Sequence, residues 1–186
     1  MKFRARPLAL AAITVAVGLS GKALYDSRHF DYTPSKYTAI QAQIEQQGLQ
    51  ADKSKAMGAL AALMLHADGQ LTAAEQAFVA KLGQDPKTTL SSCVLPGSVE
   101  ETELASIEPA KVSEGYQAFT ALLSELAGEE GVELEMEDVA YLVGGLVALP
   151  TSTLNPKLAV VLIKAANGPL SCVPPEAPLQ IEQVKK

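Results

Sequence analysis

Lys55–Gly83, KAMGALAALMLHADGQLTAAEQAFVAKLG, constrains the fold more than any other stretch of this chain. Ala56, Met57, Leu60, Leu63, Met64 and Ala67 recur at helical spacing, and Ala61 and Leu65 lie outside that stripe. A helix apolar nearly all round is surrounded by other helices. Asp52 is placed to cap it. Asp68-Gly69 then marks a tight turn, and Thr72-x-x-Glu75 forms a capping box. In that box each side chain satisfies a backbone donor at the other residue, so a second helix starts there. Leu71, Ala74, Phe78 and Leu82 supply its inward face, Gly83 ends it, and Pro86 blocks a quick restart.

The rest of the chain reads as material to cover this hairpin. Thr33-Pro34 opens a polar helix through Gln47, with Tyr37, Ile40 and Ile44 on one face. Residues 84–98 read as irregular. Ser98-x-x-Glu101 opens a short helix over about 99–107, and Pro109 starts a long one to Ala127 with Tyr116, Phe119, Leu122, Leu123 and Leu126 inward. Met136, Val139, Ala140, Val143, Leu146 and Val147 give another helix, and Gly144-Gly145 within it suggests a close helix approach. Asn155-Pro156 caps a last apolar helix to Ala166. The expected fold is all-α: a bundle of six to seven helices over residues 36–168.

That bundle shows an internal echo. Shifting the sequence by 62 residues lays Lys55–Gly69 on Gln117–Gly131, with Asp68-Gly69 on Glu130-Gly131. After one inserted residue Leu71 meets Leu134, and Ala77-Phe78 meets Ala140-Tyr141. Two pseudo-equivalent helix pairs would pack as one bundle.

Outside the bundle, Met1–Arg6 is basic and Leu8–Leu19 is an uncharged apolar run followed by small residues. Residues 1–24 therefore read either as a cleaved secretory signal or as an uncleaved membrane anchor with a snorkelling Lys22. In both cases the basic flank holds the N-terminus in the cytoplasm and sends the body across the inner membrane of a bacterium. Residues 25–35 form a linker, and residues 169–186 a Pro-rich tail.

The chain has a net charge of −6, with 15 basic and 21 acidic residues. Three of the basic ones, Lys2, Arg4 and Arg6, lie in the first 20 residues, so the remainder holds 12 basic against 21 acidic, a net of −9. An acidic body argues against nucleic acid or anionic lipid as the main partner. Cys93 and Cys172, in the similar loops SSCVLP and LSCVPP, are the only cysteines, and behind an export signal they favour a disulfide.

No P-loop, Rossmann fingerprint, CxxC or nucleophile elbow is present, so no catalytic residue is assigned. DGQLTAAE matches the back half of an EF-hand loop, but Met64 would fall at the first ligand position and supplies no oxygen. A looser divalent-metal site, for calcium for example, would use Asp68 and Glu75, with Glu129, Glu130 and Glu133 of the second turn. His66-x-Asp68 offers two further donors, and His29 has no companion.

The apolar helix, Ala67-Asp68-Gly69, a short hydrophobic step and Thr72-x-x-Glu75 together resemble the TerB-like (tellurite-resistance) helical domain family. The resemblance spans roughly Lys36–Gly168 and its specific part is Ala67–Glu75. It implies an all-α bundle of two related halves, acidic turn positions that bind metal, and a stress-response or scaffold role rather than an enzyme. The residues alone favour a binding or scaffold module of the cell envelope with a protein partner. A divalent-metal module on Asp68 and Glu75 is the first alternative. The second is a small-molecule or lipid carrier built on the apolar helix 156–166 and the Gly144-Gly145 face, which needs a connected cavity of a few hundred cubic ångströms.

Overall fold

Four helix starts in this chain are set by a side chain that accepts from orphaned backbone N–H groups, as the computed structural model shows. It describes residues 38–94, 99, 101–127, 134–168 and 172. The described helices are α1 (Thr38–Gln46), α2 (Lys53–His66), α3 (Ala73–Gln84), α4 (Pro86–Ser91), α5 (Glu101–Ala105), α6 (Pro109–Ala127), α7 (Met136–Val147) and α8 (Pro156–Ala166). The protein is all-α. Asp52 accepts from the amides of Ser54 and Lys55 at the start of α2. Thr72 and Glu75 close the expected capping box on α3. Asn155 caps α8, whose first residue is Pro156. Gly48, Gly69 and Gly168, which follow α1, α2 and α8, have positive φ, the conformation that glycine adopts without strain.

α2 is the centre. Every residue from Ala56 to Leu65 is buried. α6 lies along it, and the two helices begin side by side: Ser54 Oγ, itself buried, accepts from the Glu108 amide at 3.0 Å. Lys111 bridges Asp52 at 3.1 Å and Glu108 at 2.7 Å, and Lys55 pairs with Glu114 at 3.1 Å. Two glycines let the backbones touch. A Cβ on Gly58 would stand 2.7 Å from the Tyr116 nitrogen, and one on Gly115 would stand 2.7 Å from the Lys55 Cα. Each of these glycines faces the other helix's backbone one turn away, a reciprocal arrangement.

The second helices are exchanged. α3 packs on α6 and α4, whereas α7 packs on α2 and α1. Each hairpin thus places its second helix against the first helix of the other hairpin. α3 and α7 are each 12 residues long. The exchange is reciprocal between the two hairpins. The Ala67 carbonyl accepts from the Leu134 amide at 3.1 Å, which ties the end of α2 to the start of α7. α8 covers α2 and α4.

Four local expectations are corrected. Pro86 does not delay the next helix: it sits at the first position of α4 and is buried, and Asp85 both ends α3 and caps α4 through the Thr88 amide. A proline at the first helical position loses no hydrogen bond. Gly83 does not terminate α3, which continues to Gln84; it lies where a Cβ would meet Ser113 Oγ at 2.6 Å, so its role is contact with α6. Ala74 is exposed, and α3 buries Glu75 and Leu82, with Phe78 half-buried between them. The helix expected over 99–107 is the shorter α5. Ser98, Glu129, Glu130, Glu133 and residues 1–37 lie outside the described residues, as do the signal or anchor, the linker and nearly all of the tail. Among the described residues no helix is long and apolar enough to cross a membrane.

Candidate binding cleft

The residues of interest meet where α3, α4 and the end of α8 converge. α3 is held at its start by the capping box. Thr72 N and Thr72 Oγ1 each donate to Glu75 Oε2 at 2.7 Å, and Glu75 N donates back to Thr72 Oγ1 at 3.4 Å. The Glu75 side chain is thereby drawn inward and is only 5% exposed. Glu75, Ala77 and Phe78 of α3, the cap residue Asp85, and Thr88 and Thr89 of α4 line a cleft of about 730 Å³. The Ala165–Gly168 end of α8 closes the far side.

Cys93 and Cys172 line the same cleft and are joined as a disulfide, with a Cα–Cα distance of 4.3 Å and a sequence separation of 79. The expected crosslink is therefore in place. Cys93 is buried, and Cys172 is half-buried. The bridge fixes the start of the tail to the cleft wall formed by the end of α4.

Asp68 and Glu75, the expected metal pair, are each engaged with backbone donors. Asp68 Oδ1 accepts from the Gln70 amide at 3.2 Å and so serves the turn, and Glu75 serves its cap. Among the described residues no group of three or more His, Cys, Asp and Glu side chains is placed to hold a metal. His66 turns the other way and bonds Tyr116 Oη at 2.9 Å. Burial lowers the His66 pKa below 6.5, against an upward pull from Asp68. Burial raises that of Tyr116 above 10, opposed by Thr120. The pair is therefore a neutral hydrogen bond between α2 and α6.

One residue escaped sequence reasoning. Asp138 is 4% exposed and stands at the third position of α7, as Glu75 does in α3. The register that pairs Leu71 with Leu134 and Phe78 with Tyr141 also pairs Glu75 with Asp138. These are the two buried acids among the described residues. The two acids share helix position and burial, although α7 has no side-chain cap like that of α3. Of the carrier site expected on helix 156–166 and the Gly144-Gly145 face, Ala165 and Ala166 line the cleft and the two glycines do not. A Cβ on Gly144 would meet nothing within 4 Å, and Gly145 is covered by the side chain of Gln41. Comparison of the chain with protein-family models, curated proteins and solved structures finds no match.

Proposed function

We propose that this protein is an exported α-helical binding module of the bacterial cell envelope, and that the α3/α4/α8 cleft is its recognition surface for an extended segment of a partner protein. The observation that carries this reading is the position of the cleft. The core elsewhere is closely packed around α2, whereas this groove is open and has apolar walls at Phe78, Ala77, Ala165 and Ala166. Recognition grooves are mainly apolar with a few placed polar groups. Here the polar groups include Glu75, Lys81, Asp85, Thr88 and Thr89.

The basic-then-apolar layout of residues 1–24 supports export. The Cys93–Cys172 bridge agrees with it, because disulfides persist in oxidising compartments. The absence of a catalytic constellation in the sequence, and the resemblance of Ala67–Glu75 to the TerB-like family, both favour a scaffold or adaptor over an enzyme.

Two measurements test this. Intact mass of the native protein from membrane and soluble fractions, with alkylation before and after reduction, should show thiols blocked until reduction. It should also show either loss of about twenty N-terminal residues or a full-length membrane form. Full-length soluble protein with free thiols would overturn the export reading. A photo-crosslinking residue at position 77, which is exposed and lines the cleft, should capture one discrete protein that the same residue at exposed position 117 does not. Equal capture from both positions would reject the cleft as the recognition surface.

A further inference from the structure

The cleft is bounded at one end by the point where the chain's own tail departs. Gly168 and Cys172 both line it, and Cys172 is bonded to Cys93 in its wall. Residues 173–186, VPPEAPLQIEQVKK, follow at once. Pro174, Pro175 and Pro178 disfavour helix and strand and favour the polyproline II winding, which has three residues per turn. At that period Pro175, Pro178, Ile181 and Val184 fall on one edge, in register with Cys172 itself. No other edge of this segment is wholly apolar: one carries Glu176, Glu182 and Lys185, and the other Gln180, Gln183 and Lys186. The apolar edge therefore begins at the residue that the disulfide fixes to the cleft.

From these observations we infer that residues 173–184 of this chain occupy the α3/α4/α8 cleft in polyproline II form, with the Pro175, Pro178, Ile181 and Val184 edge against Phe78 and Ala77. The dimensions fit. Polyproline II rises about 3.1 Å per residue, so about six residues span the roughly 18 Å length of α3. The tail has more than enough chain. Charge fits as well: Lys81 and Asp85 on the cleft meet a segment that carries both acidic and basic residues. Tethering does the rest. A segment held beside its site by a short linker experiences an effective concentration on the order of millimolar, so even a weak intrinsic affinity keeps the groove filled.

The inference rests on the cleft being a peptide groove, as proposed above, and makes the tail its resident occupant. A partner segment must displace it, so the tail sets a threshold that only a better-fitting or locally concentrated sequence exceeds.

The test is NMR on the isotope-labelled, oxidised full chain. The Ile181 methyls should show cross-relaxation with the Phe78 ring. The amides of Glu176, Ala177 and residues 179–184 should exchange about tenfold more slowly than in Ala77→Arg, which places a long side chain in the groove from an exposed position. Ile181→Asp should abolish this protection, whereas Gln180→Asp, on another edge, should retain it. Unchanged α2 and α6 amide signals show that each variant is folded. Tail amides that exchange equally fast in the wild type and in Ala77→Arg would overturn the inference, as would equal effects of the two tail variants. Photo-crosslinking at position 77 separates this inference from the partner reading. Only an intramolecular product, with tail protection intact, would sustain tail docking and reject the partner. A discrete captured protein without tail protection would do the reverse.

Discussion

Replacing Gly58 by alanine should destabilise the protein, although alanine is the better helix former. Within a helix the exchange alone favours the folded state by about 1 kcal/mol. Against this, the added Cβ would stand 2.7 Å from the Tyr116 nitrogen and 2.9 Å from the Val112 carbonyl carbon. Carbon contacts are comfortable at about 3.5–4.0 Å, so α2 and α6 must part by roughly 1 Å. A gap of that size forfeits a quarter to a half of each dispersion contact across the seam. With some sixty pairs at about 0.15 kcal/mol each, the loss is roughly 3 kcal/mol and the net cost about 2 kcal/mol. In a chain of this size that lowers Tm by about 4–8 °C. Gly115→Ala should behave alike. Because both report on one crossing, the double variant should fall by less than the sum, since helices already parted accept the second methyl cheaply. Gly144→Ala is the internal control: its Cβ would meet nothing within 4 Å, so it should gain roughly 0.5–1 kcal/mol. Thermal and urea melts of the four variants decide the matter. Gly58→Ala or Gly115→Ala melting at or above wild type would refute the close-approach argument.

Reduction, or Cys93→Ser, should cost roughly 4 kcal/mol in the loop-closure account of a ring this long, read as a lowered urea midpoint; a loss below about 1 kcal/mol would reject it. Asp52→Ala should cost about 1 kcal/mol through the lost α2 cap. Burial raises the Asp52 pKa, but the Lys55 and Ser54 amides and Lys111 outweigh it and hold it below 3.8. Its contribution is therefore present above that value and lost as pH falls through the folded-state pKa, so wild type and Asp52→Ala should converge in strong acid. Burial depresses the His66 pKa, so the unfolded chain binds that proton more readily. Stability should be complete above about pH 6.5 and should decline below it, and His66→Gln should flatten that slope in urea melts.

Most helix boundaries were legible because they are written in local chemistry: Asp52, Thr72-x-x-Glu75 and Asn155-Pro156 each name a start without reference to the fold. α4 was not, because Pro86 taken alone marks a break, and only with Asp85 as cap does it become a first helical residue. Among the glycines, sequence pointed to the adjacent pair Gly144-Gly145, whereas the backbone crossing uses Gly58 and Gly115. Periodicity assigns a residue to a face but does not say what that face meets. The cysteine pair was legible from number and setting. The cleft was not, since its walls come from three helices distant in sequence. The burial of Glu75 was hidden by its charge, and Asp138 could have been found only by extending the Leu71–Leu134 register three residues further.

The exchange of α3 and α7 also governs when this chain can fold. Until α6 exists, α3 can rest only on the short α4, and until α7 exists one side of α2 is bare. The first hairpin cannot close its own core as it emerges, so its ordering waits for contacts that are distant in sequence and slow to form. If the chain is exported as proposed, threading a translocation channel as an extended strand, such a delay would keep the leading half passable until the trailing half has followed it.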